Sequence, residues 1–123
     1  MTYDNENIFA KILRGEIPCK KIYEDEFVLS FYDINPQKKI HALVIPKGKY
    51  IDLDDFAINA SNDEIVGLIK GINIVAKKLN ISVDTGKGYR ALANISEYGG
   101  QEVPHLHFHL FGGEKVGKMV QWV

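Results

Sequence analysis

Pro104-His105-Leu106-His107-Phe108-His109-Leu110-Phe111-Gly112-Gly113 alternates polar and apolar side chains without error until the two glycines end it. Alternation at period two is the pattern of a β-strand. His105, His107 and His109 are therefore expected to leave one face of a sheet, with Leu106, Phe108 and Leu110 on the other. Pro104 suits the first position of such a strand, where its missing amide does least harm. A single histidine on a sheet is an ordinary structural residue. Three in a row are not, because their partial charges near neutral pH repel one another unless an anion or a metal lies in front of them.

Upstream, Tyr89 to Asn94 sets small alanines against Arg90 and Leu92 and reads as a further strand between the Gly86-Lys87-Gly88 turn and a Ser96–Gln101 loop. Lys21-Ile22-Tyr23, Phe27 to Asp33 and His41 to Ile45 are runs rich in β-branched and aromatic residues, separated by polar turns, and read as an antiparallel meander. Asn7 to Leu13 reads as a short helix that stops at Arg14-Gly15. Ser61-Asn62-Asp63-Glu64 is a capping-box pattern, followed by Ile65, Leu68, Ile69, Ile72, Val75, Ala76 and Leu79 at helical spacing. We therefore expect an α+β fold: an antiparallel sheet of about five strands with one short and one long helix. It forms a single domain over residues 1–123, with the signature strand at 104–113 and a tail of little period at 114–123.

At 123 residues, a two-domain enzyme is effectively excluded. Lys plus Arg number 15 against 16 Asp plus Glu, so no overall field draws the chain to nucleic acid or to anionic lipid, and neither is expected as a partner. One cysteine, Cys19, allows no internal disulfide and suggests a cytoplasmic protein. The acidic, polar start lacks the pattern of a secretory signal, and no apolar run is long enough for a membrane span.

Two chemistries suit the histidine row. Zinc needs nitrogens about 2.0–2.1 Å away, whereas Cα atoms four residues apart on a strand lie about 13 Å apart, so His105 and His109 cannot share an ion. Only neighbouring pairs could chelate, and such a two-histidine site would still need a third ligand, from His41 or from the carboxylates Glu97, Glu102 or Asp33. The alternative is an elongated anion site in which one neutral imidazole attacks phosphorus and its neighbours donate to phosphoryl oxygens. Geometry favours the central ring, His107, as nucleophile. We expect no metal and no cofactor.

The stretch His105 to Gly113 resembles the His-φ-His-φ-His-φ-φ signature of the histidine triad (HIT) superfamily, φ being apolar. Asn7 to Ile12, Gly15 to Pro18, Phe31 to Pro36, His41 to Pro46 and Gly99 to Gln101 resemble its Hint branch in the same order, over roughly residues 5 to 113. The resemblance implies a HIT-like fold whose sheet continues across a homodimer. It also implies a purine nucleoside phosphoramidase that cleaves the P–N bond of adenosine or guanosine 5'-phosphoramidates through a nucleotidyl-histidine. By the family pattern, His107 is the nucleophile, and His109, Gly100 and Glu102 contact the phosphate. Asp33 accepts from the ribose hydroxyls and Asn94 lies near the phosphate. His41 and His105 join a network for proton transfer, and Ile8, Phe9, Ile12, Phe31 and Leu43 wall the base pocket. Parity agrees with their joint assignment to one pocket, since Phe31 and Asp33, and His41 and Leu43, each lie two apart on a strand and should share a face. Blander readings are Phe31 as core, Asp33 as a turn residue and Asn94 as a loop cap. Competing functions are dinucleoside polyphosphate hydrolysis and nucleotide sensing without useful turnover.

The chain departs from that pattern at Glu102, where Hint proteins usually carry Ser or Thr beside the leaving group. A carboxylate cannot donate to phosphate, so Glu102 points toward cationic amine leaving groups such as lysine. Trp122 is also spaced differently from the Gly-Gly than the tail tryptophan of Hint proteins.

Overall fold

In the computed structural model, which describes residues 2–120, the meander forms as β1 (Lys21–Glu24), β2 (Val28–Tyr32) and β3 (Ile40–Pro46). It continues into β5 (Phe108–Gly112) and ends at β4 (Arg90–Leu92), giving an antiparallel five-stranded sheet of order β1-β2-β3-β5-β4. This is the expected HIT-like architecture. Trp122 lies outside the described residues.

The helices follow their caps. α1 (Ile8–Leu13) starts where the Asn7 side chain accepts from the Ala10 amide, and Gly15, at φ +78°, turns the chain out of it. α3 (Asn62–Lys78) opens on the expected capping box between Ser61 and Glu64, a device contributing about 1 kcal/mol. Its Leu68, Ile72 and Val75 pack on Val28, Ala42, Val44 and Leu110, one face of the sheet. Ile69, read from the sequence as part of that stripe, is 61% exposed. α2 (Leu53–Asn59) was not expected. It buries only Phe56 and so has no helical period to read, but Asp52 caps it by accepting from the Asp55 amide.

The other face of the sheet carries a second apolar cluster, Phe9 of α1 with Leu29, Phe31, Leu43 and Ile45. The register puts Phe31 beside Leu43, Leu43 beside His109, and Leu92 on the far side of His109. The same rows put His41 beside Phe111 and Phe111 beside Arg90. Residues opposite one another share a face, so this side of the sheet runs from a dry apolar end into a histidine-rich end.

The signature strand is shorter than the expected 104–113. The β3 ladder pairs Val44 with Phe108, and two steps further Leu106 would meet Pro46, which has no amide to give. The chain turns instead: His105 N–H donates to the Val103 carbonyl and Leu106 N–H to the Tyr50 carbonyl. His105 therefore leaves the row that the alternation predicts. No helix among the described residues is long and apolar enough to cross a membrane.

Candidate active site

Two hydrogen bonds to backbone groups, whose direction is fixed, set the proton positions of the imidazoles of the site. His107 Nδ1 lies 2.7 Å from the His105 carbonyl oxygen. A carbonyl only accepts, so Nδ1 carries the proton and the Nε2 lone pair is left free. Phe9 meets the His107 ring edge-to-face, with centroids 4.9 Å apart, and limits its rotation. Burial lowers the His107 pKa, opposed by the His105 carbonyl and by Asp33 and Glu102, so at neutral pH the free nitrogen is a base and a nucleophile.

A second chain of bonds sets His109 the opposite way. The backbone N–H of Gln37 donates to His41 Nδ1 at 3.2 Å, so neutral His41 holds its proton on Nε2. His41 Nε2 in turn lies 2.9 Å from His109 Nδ1 and 3.4 Å from an Asp33 carboxylate oxygen. Donation to His109 Nδ1 leaves the His109 proton on Nε2. Burial lowers the His41 pKa, and burial with the neighbouring His107 and His41 pushes His109 down to about 4. Both rings are neutral at pH 7. His107 thus offers a lone pair and His109 an N–H from rings whose centroids are 5.1 Å apart.

His105 belongs elsewhere. It is fully buried, its Nε2 donates to the Pro46 carbonyl at 2.8 Å, and its Nδ1 accepts from the Tyr3 hydroxyl at 2.6 Å. Burial pushes its pKa down to about 4. Of the two rings expected in a proton-transfer network, His41 pairs with His109, while His105 faces the N-terminal arm because the chain turns at Val103–His105.

A cavity of about 280 Å³ brings together Phe9, Asp33, Leu43, Asn94, Gly100, Glu102, His107 and His109, with Asn35, Gln37 and Val103. Eight of the residues named from the sequence therefore line one space. Its wall is apolar at Phe9, Leu43 and Val103 and polar at Asp33 and the two histidines, a division suited to a ligand with one apolar and one polar end. Gly100 reaches it at φ +75°, a conformation that a side chain would strain. Gln101 holds that loop, its amide donating to the Ile51 and Val103 carbonyls while its oxygen accepts from Ser96 N–H. Phe31 stands behind the wall, buried edge-to-face against Phe9, and Ile12 packs on the same cluster. Ile8 is 41% exposed. Sequence reading missed Gln37, whose contribution is a backbone amide, and Tyr3, which lies outside every motif.

Asp33, His41 and His109 also have donor atoms within 4.8 Å of one another, the spacing of a metal site. The His41 and His109 nitrogens, however, face each other across a hydrogen bond, so an ion would have to displace the proton between them.

The HIT domain family model matches residues 14–116. An uncharacterized 13.2 kDa HIT-like protein of Azospirillum brasilense is 52% identical over 119 residues, 97% of this chain and 95% of its own length. Among solved structures, a HIT family hydrolase from Clostridium thermocellum superposes with a TM-score of 0.83 at 38% identity, covering 96% of this chain and 99% of that one. A histidine triad protein from Clostridium difficile superposes at 0.81 and 37% identity, covering 97% and 100%.

Proposed function

The chain belongs to the HIT domain family, and from that premise we propose that it is a nucleoside phosphoramidase of the Hint branch, acting on purine nucleoside 5'-phosphoramidates. The observation that carries the reading is the opposed protonation of neighbouring rings, a lone pair on His107 Nε2 beside an N–H on His109, in a cavity with Asp33 and an apolar wall.

In this reading the base packs on Phe9 and Leu43 and the ribose hydroxyls donate to Asp33. The His107 Nε2 lone pair attacks phosphorus, and the P–N bond breaks with its electron pair passing to nitrogen. That nitrogen takes a proton from the His109 side and leaves as the amine. Water then attacks the nucleotidyl-His107 and gives a proton back to the His109 side, the P–Nε2 bond breaks with its electron pair returning to Nε2, and the nucleoside monophosphate departs. The sum is phosphoramidate plus water giving amine plus nucleotide. Entry of the phosphate anion raises the proton affinity of His109, so substrate prepares its own acid.

The test is incubation with an adenosine phosphoramidate and an alkaline denaturing quench. Intact mass should increase by one adenylyl group located on His107. His107→Ala should form no adduct and lose at least about 10³-fold in turnover while still binding nucleotide. Near-wild-type turnover in that variant refutes the assignment.

Two further points complete the reading. Two copies join edge to edge at β4, one of the two edge strands of the sheet, and a monomeric mass at micromolar concentration would count against this. The setting is cytoplasmic, consistent with the unpaired thiol of Cys19.

A further inference from the structure

The Asp33 carboxylate touches the histidine pair as well as the cavity. Asp33 follows β2, and its backbone N–H donates to the His41 carbonyl at 3.0 Å, which holds both residues at one end of the β2–β3 hairpin. Its Oδ1 accepts from the Asn35 N–H at 2.8 Å, fixing the carboxylate, and its Oδ2 lies 3.4 Å from His41 Nε2. That is the nitrogen whose proton serves His109 Nδ1 at 2.9 Å. The His41 side chain is 1% exposed and that of Asp33 19%, so salt and water screen their attraction little. The gap between the two rings has room for one proton. In the neutral pair one proton sits on His41 Nε2 and one on His109 Nε2, while His41 Nδ1 is occupied by the Gln37 N–H. To become an imidazolium, His109 must take a further proton on Nδ1, and two N–H groups then meet across the gap. One of them needs another acceptor.

Resting on the phosphoramidase reading, we propose that Asp33 is a positioning residue for the acid as well as a ligand of the ribose: its Oδ2 takes the His41 N–H when His109 acquires its second proton, and its charge balances the imidazolium. His109 then donates its Nε2 proton to the departing nitrogen, keeps the Nδ1 proton, and takes one back on Nε2 from the water that hydrolyses nucleotidyl-His107. The electrostatics run the same way. Burial lowers the His41 pKa and Asp33 raises it; burial, His107 and His41 lower that of His109, and Asp33 again raises it. Glu102, the cavity's other carboxylate, acts on His107. A carboxylate offers about four lone-pair sites, enough for the Asn35 amide, two ribose hydroxyls and His41 together. Sugar and acid therefore do not compete for it.

The experiment compares the full chain with its Asp33→Asn variant, which keeps an oxygen for the Asn35 amide and loses the charge. The substrates are adenosine 5'-phosphoramidate and its 2',3'-dideoxy analogue, each at saturating concentration across a range of pH. The dideoxy compound has no hydroxyl for Asp33 to bind, so a loss of kcat on it cannot come from the sugar. Removing the anion makes the imidazolium harder to form, so the alkaline limb of the kcat profile, where the acid loses its proton, should move down by about one pH unit in the variant. Above that limb kcat should fall about tenfold on both substrates, while KM rises on the ribose compound alone. A limb in its wild-type place overturns the inference whatever happens to kcat, and leaves Asp33 a sugar ligand in an intact phosphoramidase. Should the wild type cleave only the ribose compound, the limb on that substrate decides in the same way. A wild type that cleaves neither overturns the phosphoramidase reading itself, and this role of Asp33 falls with it.

Discussion

His105 and His109 stand two residues either side of His107, and burial pushes both down to about 4, yet their surroundings give them opposite work. His105 is enclosed, with both ring nitrogens spent on Pro46 and Tyr3. His109 is half-buried, spends one nitrogen on His41, and lines the same cavity as His107. The same lowered pKa keeps one ring as a neutral strut and the other as a neutral donor that an incoming anion can charge. A pKa alone does not separate these roles; what occupies the second nitrogen does.

The largest effect that tests the comparison is acid destabilisation. Both rings bind protons less readily folded than unfolded, so between about pH 6.5 and pH 4 the unfolded chain holds more protons. Stability is complete above that window and falls as pH drops through it, by on the order of 3 kcal/mol for the enclosed His105 and by less for the half-buried His109, where solvent screens the charge. Urea unfolding of the wild type and of His109→Asn at pH 7.5 and pH 5 checks this. The variant should lose less on acidification than the wild type. Equal losses would mean that His109 is not held neutral by the fold.

Much of this site is legible in the sequence, for a reason visible in particular residues. Phe31, Asp33, His41, Leu43, His107 and His109 are arranged by strand parity, and side-chain pattern encodes parity directly. The departure of His105 is set by backbone chemistry instead: Pro46 cannot extend the ladder, and a turn at Val103–His105 takes its place. The proton on His109 depends on the amide of Gln37, which any residue but proline would supply equally. α2 hides because one buried Phe56 makes no period, although its Asp52 cap was readable. A hollow beside β4 joins Lys38, Arg90 and Lys118 from three distant segments, a proximity no local pattern carries.

Replacing each outer ring in turn sharpens the contrast. His105→Ala leaves the Pro46 carbonyl and the Tyr3 hydroxyl without their buried partner and opens a void, and should cost about 3 kcal/mol of stability. His109→Ala should fold almost as well but cleave adenosine phosphoramidate about 10²-fold more slowly, since the departing nitrogen loses its donor. Chemical denaturation and steady-state kinetics on both variants decide it. A His105→Ala chain of normal stability but crippled turnover would place that ring in the chemistry and dissolve the distinction.

The smallest and most discriminating change is Tyr3→Phe. It removes one oxygen and leaves the His105 Nε2 bond to Pro46, which fixes the ring's tautomer and prevents the orphaned Nδ1 from taking the proton instead. The variant therefore carries a buried acceptor without a donor, at a cost of about 1 kcal/mol. What holds His107 is not the His105 ring but the His105 backbone carbonyl, which this substitution does not touch. Turnover of adenosine phosphoramidate should accordingly change by less than about threefold while the unfolding midpoint falls. A drop in kcat at unchanged stability would show the Tyr3 hydroxyl acting through the ring on the nucleophile, and His105 would then be a positioning residue for catalysis.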